Sequence, residues 1–106
     1  MEYNKIMANE NNATVVCIAS IRLLVPMSHS LKDKRKQIKS IKEKLKSRFN
    51  ASVAEISLLD DWQHAELGIA MISNDKVFLE KQFRAMETLI LESRGLELIG
   101  MEIECL

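Results

Sequence analysis

The chain has 106 residues, enough for one domain that buries roughly two-thirds of the surface its unfolded form exposes. Hydrophobic residues make up 47% and charged residues 28%, as in globular proteins, and no apolar run approaches the ~20 residues that a transmembrane helix needs. These values exclude a membrane-spanning helix, and the formal net charge is zero.

The first segment predicts neither export nor a packed element. Residues 1–12 include four asparagines and lack the apolar stretch of a signal peptide, so we expect a disordered tail followed by a single domain over residues 13–106. The only two cysteines, Cys17 and Cys105, each lie inside an apolar alternating segment. Such cysteines behave as small buried hydrophobes, and we expect reduced thiols in a cytoplasmic protein.

A strand opens the predicted domain. Every odd position from 15 to 25 is apolar, whereas the even positions include Thr14, Ser20 and Arg22. This alternation is typical of a strand with one buried face, and Pro26 ends it because proline cannot donate to a strand ladder.

An amphipathic helix is predicted over residues 31–49, where the apolar residues change to helical spacing. Ser30 precedes it and forms an approximate capping box with Asp33. Asn50 follows, and we expect it to close the helix in the left-handed conformation.

Two strands, a helix and a last strand complete the pattern. Alternating apolar residues predict strands over 51–58 and 63–73, and the following polar triplet of residues 73–75 offers N-cap chemistry for a second helix. Gly95 stops that helix, and residues 96–105 form a terminal strand. The apolar stripe of the second helix consists of Leu79, Phe83, Met86 and Ile90.

The element order β-α-β-β-α-β predicts a ferredoxin-like α+β fold, with a four-stranded antiparallel sheet and both helices on one face. The helices should pack on the face of the first strand that its odd positions form. In this topology the first strand is antiparallel to the last, so Cys17 should lie close to Cys105, although we expect no disulfide in a cytoplasmic protein. The predicted core comprises Leu31, Ile38, Ile41, Leu45, Phe49, Phe83, Met86 and Ile90.

The charge is divided unevenly along the chain. Residues 31–49 carry nine basic side chains against two acidic ones, a net +7, whereas residues 51–106 carry a net −7. On a helical wheel, six of the basic residues fall within an arc of about 120° beside the apolar stripe. These candidate RNA-binding residues are Lys32, Arg35, Lys36, Lys39, Lys42 and Lys46. They predict either a surface that neutralises RNA phosphates or a solvated helix face.

The open face of the predicted sheet carries no aromatic side chain on its first and third strands, which argues against base stacking of the kind an RRM uses. Its small and aliphatic residues predict instead an apolar patch for a homodimer or a protein partner, with the N-terminal tail as another possible cover. The candidate interface residues are Ile18, Gly68, Ala70 and Ile72.

Trp62 is the only tryptophan, and its place before a strand favours a residue that anchors a turn through its ring and its N–H. Asp60, Asp61 and His64 lie nearby, but their spacing matches no established metal site. The sequence has no phosphate loop, no catalytic triad and no paired carboxylates beside a base, so it predicts a protein that is not an enzyme. A hydrolase that uses Asp60, Asp61 and His64 is a third hypothesis.

Several short motifs between residues 14 and 105 form a combination that is specific although no single motif is. They are Ser30-Leu31-Lys32-Asp33-Lys34-Arg35, Ile38-Lys39-Ser40, Arg48-Phe49-Asn50, Ser52-Val53-Ala54-Glu55, Trp62-Gln63 followed by Ala65, Leu67-Gly68-Ile69-Ala70 and Ser73-Asn74-Asp75. This combination resembles the YlxP-like family of small bacterial proteins, a domain of unknown function. The resemblance implies a ferredoxin-like fold and supplies no catalytic residues. Because the family's genes often lie beside those for translation initiation and ribosome maturation, it also implies a role around the ribosome.

The residues and the resemblance together predict a non-enzymatic, cytoplasmic protein that binds ribosomal RNA or a ribosomal subunit through the basic first helix and assists ribosome maturation or translation. The alternative is a protein-interaction or homodimerisation module that uses the open sheet face, and a weak homodimer is expected. No membrane, cofactor or metal is expected as a partner.

Overall fold

A computed structural model describes residues 14–106, so the tail predicted at residues 1–12 lies outside the described residues. Four strands and two helices follow one another in the predicted order. They are β1 (Val15–Leu24), α1 (Leu31–Arg48), β2 (Ser52–Ser57), β3 (His64–Ser73), α2 (Lys76–Leu91) and β4 (Glu97–Cys105).

The strands form one antiparallel sheet in the order β2-β3-β1-β4. Ser20 faces Gly68 across β1 and β3, and the same register places Ile18 opposite Ala70. β2 and β4 are the two edges of the sheet, and each carries a register shift against its neighbour. The architecture is the ferredoxin-like α+β fold that the element order predicts.

One apolar core joins the odd-numbered residues of β1 to the stripes of both helices. Ile21 and Leu23 are fully buried, as are Leu45 of α1 and Phe83 of α2. Because the stripes share one cluster with one side of β1, both helices lie on the same sheet face, as predicted. Phe49 is half-buried and packs against the margin of this core. Leu31 is also half-buried but does not belong to the core, so its predicted place there is wrong.

The first helix begins as its sequence indicates but ends differently. Ser30 is the N-cap, and its hydroxyl accepts a hydrogen bond from the Asp33 backbone N–H at 3.0 Å. The Asp33 carboxylate accepts a bond from the backbone N–H of His29, one residue before the cap. The prediction that Asn50 adopts a left-handed conformation is wrong. Leu58 and Gly95 are the residues with positive φ within the described range, and α1 runs directly into extended backbone at Phe49.

Cys17 and Cys105 form a disulfide, so the expectation of reduced thiols is wrong for this structure. The two residues face each other across β1 and β4, with 4.0 Å between their Cα atoms. The neighbouring residue pair along the two strands is Val16 and Leu106, and the Leu106 N–H donates a hydrogen bond to the Val16 carbonyl. Cys17 and Cys105 are therefore a non-hydrogen-bonded pair, in which opposing side chains approach most closely.

Candidate nucleic-acid interface

The first helix divides its surface into a buried stripe and a basic ridge. The buried stripe contains Lys34, Ile38, Ile41 and Leu45. Beside it, five of the six predicted RNA-binding side chains are exposed and Lys42 is half-buried. The basic ridge consists of Lys32, Arg35, Lys36, Lys39, Lys42 and Lys46.

The ridge faces away from the second helix. Gln37 lies on the opposite side of α1, where its amide is 3.3 Å from the position that a Cβ on Gly95 would occupy. Gly95 belongs to the turn between α2 and β4, so that side of α1 points toward the middle of the domain. The ridge, about 180° from Gln37 around the helix, therefore runs along the outer side near edge strand β2.

The ridge is free of carboxylate partners within residues 14–106. Salt bridges in this range involve Arg22, Lys34 and His64 as the cations, none of which belongs to the ridge. Glu43 lies on the same part of the wheel, yet it approaches no ridge cation within salt-bridge distance. The six charges are thus available to an external polyanion.

The far edge of the sheet has the opposite charge. Glu97, Glu102 and Glu104 lie on β4 and are exposed. Glu102 is paired with Arg22 at 3.5 Å, whereas the other two carboxylates have no ion-pair partner among the described residues. The molecule therefore presents a basic outer helix face near one sheet edge and an acidic margin at the other.

Lys34 is the exception among the basic residues of α1, because its side chain is completely buried. Its ammonium lies 3.0 Å from Oε2 of Glu55 on β2 and donates a hydrogen bond to the Leu58 carbonyl at 2.7 Å. The role of Lys34 is not predicted from the sequence, where this residue counts only among the nine basic side chains of residues 31–49. Its spacing from Ile38, Ile41 and Leu45 is the signal that marks it as part of the buried stripe.

The loop between β2 and β3 is held by polar contacts from three directions. Lys34 binds its first carbonyl, at Leu58. The Gln63 amide donates to the carbonyls of Pro26 and Ser28 at 3.3 and 3.2 Å, which ties the loop to the segment before α1. In addition, the Val25 backbone N–H donates to the Gln63 carbonyl at 2.6 Å.

Asp61 holds the loop from within. One carboxylate oxygen, Oδ1, accepts the backbone N–H groups of Gln63 at 2.9 Å and His64 at 2.7 Å, and lies 3.0 Å from the His64 ring. These hydrogen bonds stabilise the charged carboxylate and lower the pKa of Asp61 below its usual range. The bond from the Gln63 N–H has the largest effect, and the bonds from the His64 backbone and ring add to it.

Trp62 does not anchor this loop, so that prediction is wrong. The residue is 57% exposed, and its indole N–H donates to no residue among those that the structure describes. Asp61, Gln63 and Lys34 perform the anchoring instead. Trp62 lines an open cleft with His29 and His64, at the point where the chain enters α1.

Asp60, Asp61 and His64 do not assemble into a metal centre. Residues 14–106 contain no group of three or more His, Cys, Asp or Glu residues that is arranged to hold a metal ion. His64 is engaged with Asp61 rather than with a third ligand. The hypothesis of a hydrolase that uses these residues stays a prediction.

The predicted interface residues all lie on the open sheet face. Ile18 is 42% exposed and Ile72 is 62% exposed, whereas Gly68 and Ala70 are half-buried. Gly68 is required by a close approach, because a Cβ there would lie 2.9 Å from Cγ2 of Ile56. The structure thus brings the four residues onto one apolar surface, and their role in an interface stays a prediction.

Neither helix is long and apolar enough to cross a membrane.

The element order and the sheet topology define a small α+β protein of the ferredoxin-like architecture. The family described as "Protein of unknown function (DUF503)" matches residues 16–103, and the chain belongs to this family. The "Uncharacterized protein YlxP" of Bacillus subtilis (strain 168) is 33% identical over 70 residues, which cover 66% of this chain and 76% of that protein. The resemblance to the YlxP-like family is therefore confirmed.

Among solved structures, the de novo designed protein Foldit4 is similar, with a TM-score of 0.50, 20% identity, and coverage of 88% of this chain and 96% of that one. This similarity shows the fold alone. The de novo designed protein Ferredog-Diesel has a TM-score of 0.46 at 14% identity, and covers 84% of this chain and 83% of its own.

Proposed function

We propose that the protein binds RNA backbone through the basic ridge and acts on ribosomal RNA or an assembling ribosomal subunit, without catalysis. The observation that carries the proposal is the arrangement of six basic side chains along one outer side of α1, with no carboxylate partner in the described residues. From Lys32 to Lys46 the ridge is about 21 Å long at the rise of an α-helix. A surface of that length contacts several consecutive phosphates.

The physics of such a contact is sequence-independent. Lysine and arginine side chains that neutralise phosphates release condensed counterions, so the affinity depends strongly on salt. The acidic β4 margin repels the same ligand and orients the protein with its α1 side toward the RNA. The open sheet, which lacks aromatic residues on β1 and β3, contributes no base stacking of the RRM kind.

The ribosomal part of the proposal is supported by the resemblance of the motifs and is tested by co-sedimentation. Tagged protein in a bacterial lysate should sediment with ribosomal fractions at low salt and leave them at high salt. The variant Arg35→Glu/Lys39→Glu/Lys46→Glu should not sediment with the ribosomal fractions at either salt concentration. A matched control, Lys44→Glu/Arg48→Glu/Lys81→Glu, makes the same change in net charge away from the ridge and should sediment like the parent. Equal sedimentation of both triple variants with the parent would contradict the proposal.

A second candidate function is homodimerisation through the open sheet face, favoured by the exposure of Ile18 and Ile72 beside the small residues Gly68 and Ala70. Both functions fit a protein that acts in the cytoplasm. There the Cys17–Cys105 bond would meet reducing thiol pools.

A further inference from the structure

We propose that Trp62 is a stacking platform for one unpaired nucleobase of the RNA whose backbone lies on the basic ridge. This inference rests on the proposed function and adds a ligand class to it: RNA with a single-stranded end, bulge or loop. Trp62 is 57% exposed, although large aromatic residues usually bury most of their surface.

The polar contacts that hold the loop do not use the indole. Its backbone is held by Lys34 at Leu58, by Asp61 at the two residues after Trp62, and by Gln63 at the segment before α1. None of these contacts involves the Trp62 side chain, and its N–H has no partner within residues 14–106. The ring is thus displayed on a preorganised support, which lowers the entropy lost when a ligand binds.

The position of the loop connects the indole to the ridge. Trp62 shares its cleft with His29, which directly precedes the N-cap of α1, and Lys32 begins the ridge in the first turn of that helix. Lys34, from the same turn, binds the loop itself. A nucleic acid whose backbone follows the ridge toward the start of α1 therefore arrives beside the exposed ring.

The charges around Trp62 favour a base over a phosphate at this point. Asp60 is exposed, and Asp61 carries a carboxylate whose charge is stabilised by local hydrogen bonds. These carboxylates repel phosphates, whereas the neutral π-face of a base stacks on an indole regardless of sequence. The phosphates are then held by the ridge and the base by the loop.

The first part of the test uses intrinsic fluorescence, since Trp62 is the only tryptophan in the chain. The full chain is titrated at low salt with a short single-stranded oligoadenylate and, separately, with inorganic polyphosphate. Oligoadenylate should quench the Trp62 emission as it binds. Polyphosphate should compete for the ridge and leave the emission unchanged, because it has no base. Binding of oligoadenylate without a change in Trp62 emission would overturn the inference.

The second part measures binding of labelled oligoadenylate by anisotropy to folded variants, checked by circular dichroism. Trp62→Ala should weaken affinity roughly fivefold or more, Trp62→Phe should retain most of it, and the loop control Leu59→Ala should match the parent. The inference would be overturned if Trp62→Ala bound with the affinity of the parent. It would also be overturned if Leu59→Ala lost as much affinity as Trp62→Ala, which is the result expected of a protein-docking surface. If the parent binds neither oligoadenylate nor polyphosphate, the proposed function itself fails. If Arg35→Glu/Lys39→Glu/Lys46→Glu abolishes binding and Trp62→Ala does not weaken it, the proposed function stands and the role of Trp62 is overturned.

Discussion

Lys34 and Glu55 form an ion pair in the interior of the protein, with 3.0 Å between Nζ and Oε2 and side-chain exposures of 0% and 14%. The pair joins the first turn of α1 to edge strand β2, and the same ammonium binds the Leu58 carbonyl. Lys34 therefore links the ridge-bearing helix directly to the Trp62 loop.

Removal of one partner of this pair should be strongly destabilising. Lys34→Met leaves the Glu55 carboxylate in a nearly buried position without its cation, which costs about 3–5 kcal/mol in buried ion pairs. Urea denaturation followed by circular dichroism measures the loss. Lys32→Met, an exposed change in the same turn, should alter the free energy of unfolding by about 0.5 kcal/mol or less. The combination Lys34→Met/Glu55→Gln should recover part of the stability, and a Lys34→Met variant as stable as the parent would contradict the pairing.

The disulfide between Cys17 and Cys105 should stabilise the oxidised protein. It closes a loop with a sequence separation of 88 residues, for which the chain-entropy model gives about 4–5 kcal/mol as an upper figure. Cys105→Ser should lower the melting temperature in the absence of reductant and should make it insensitive to added dithiothreitol. A thiol assay on the unreduced, denatured parent should find no free thiol, and two free thiols per chain would rule the bond out.

Acidification should loosen the β2–β3 loop through Asp61. Because its pKa is lowered in the folded state, the ionised carboxylate contributes stability at pH values above the unfolded pKa of about 3.9, and this contribution is lost as the pH falls through the lower folded value. Asp61→Asn should therefore be less stable than the parent at pH 7, and the difference should shrink below about pH 4. The exposed neighbour provides the control, since Asp60→Asn should follow the parent at both pH values. A constant difference between Asp61→Asn and the parent would exclude this linkage.

The open sheet face should support a weak homodimer. Ala70 lies in the small-residue strip between Ile18 and strand β2, so a charged side chain there would be desolvated in the interface. Light scattering at high protein concentration should show an increase in mass for the parent and none for Ala70→Glu. Glu87→Lys, a charge change on α2, should dimerise like the parent. If the parent and Ala70→Glu were both monomeric, the homodimer would be contradicted and this face would be left to another partner.

The sequence pattern predicts the fold well because periodicity reports burial. The odd positions of β1 and the stripes of both helices fall in the core, and the register of Ser20 opposite Gly68 agrees with the predicted open face. The positions of the ridge residues on α1 also follow from helical spacing alone.

The features that the sequence reasoning missed depend on contacts between distant segments. Lys34 is buried because Glu55 and Leu58, more than 20 positions away, supply its partners. Trp62 is exposed because its neighbours, not its own ring, hold the loop. Local spacing places Lys34 on the buried stripe but does not identify its partners. The disulfide is a different case. The predicted topology brings Cys17 close to Cys105, and the bond was not expected because cytoplasmic thiols are usually reduced.

The most direct test of the proposed RNA contact is the salt dependence of binding to a short RNA hairpin with a single-stranded overhang. The affinity of the parent should fall steeply between low and physiological salt. Arg35→Glu/Lys39→Glu/Lys46→Glu should bind more weakly, and its log–log slope should flatten by roughly 0.7–0.9 for each phosphate contact removed. The control Lys44→Glu/Arg48→Glu/Lys81→Glu should keep the parental slope. A ridge variant with the affinity and the slope of the parent would show that the six basic side chains are only a solvated helix face.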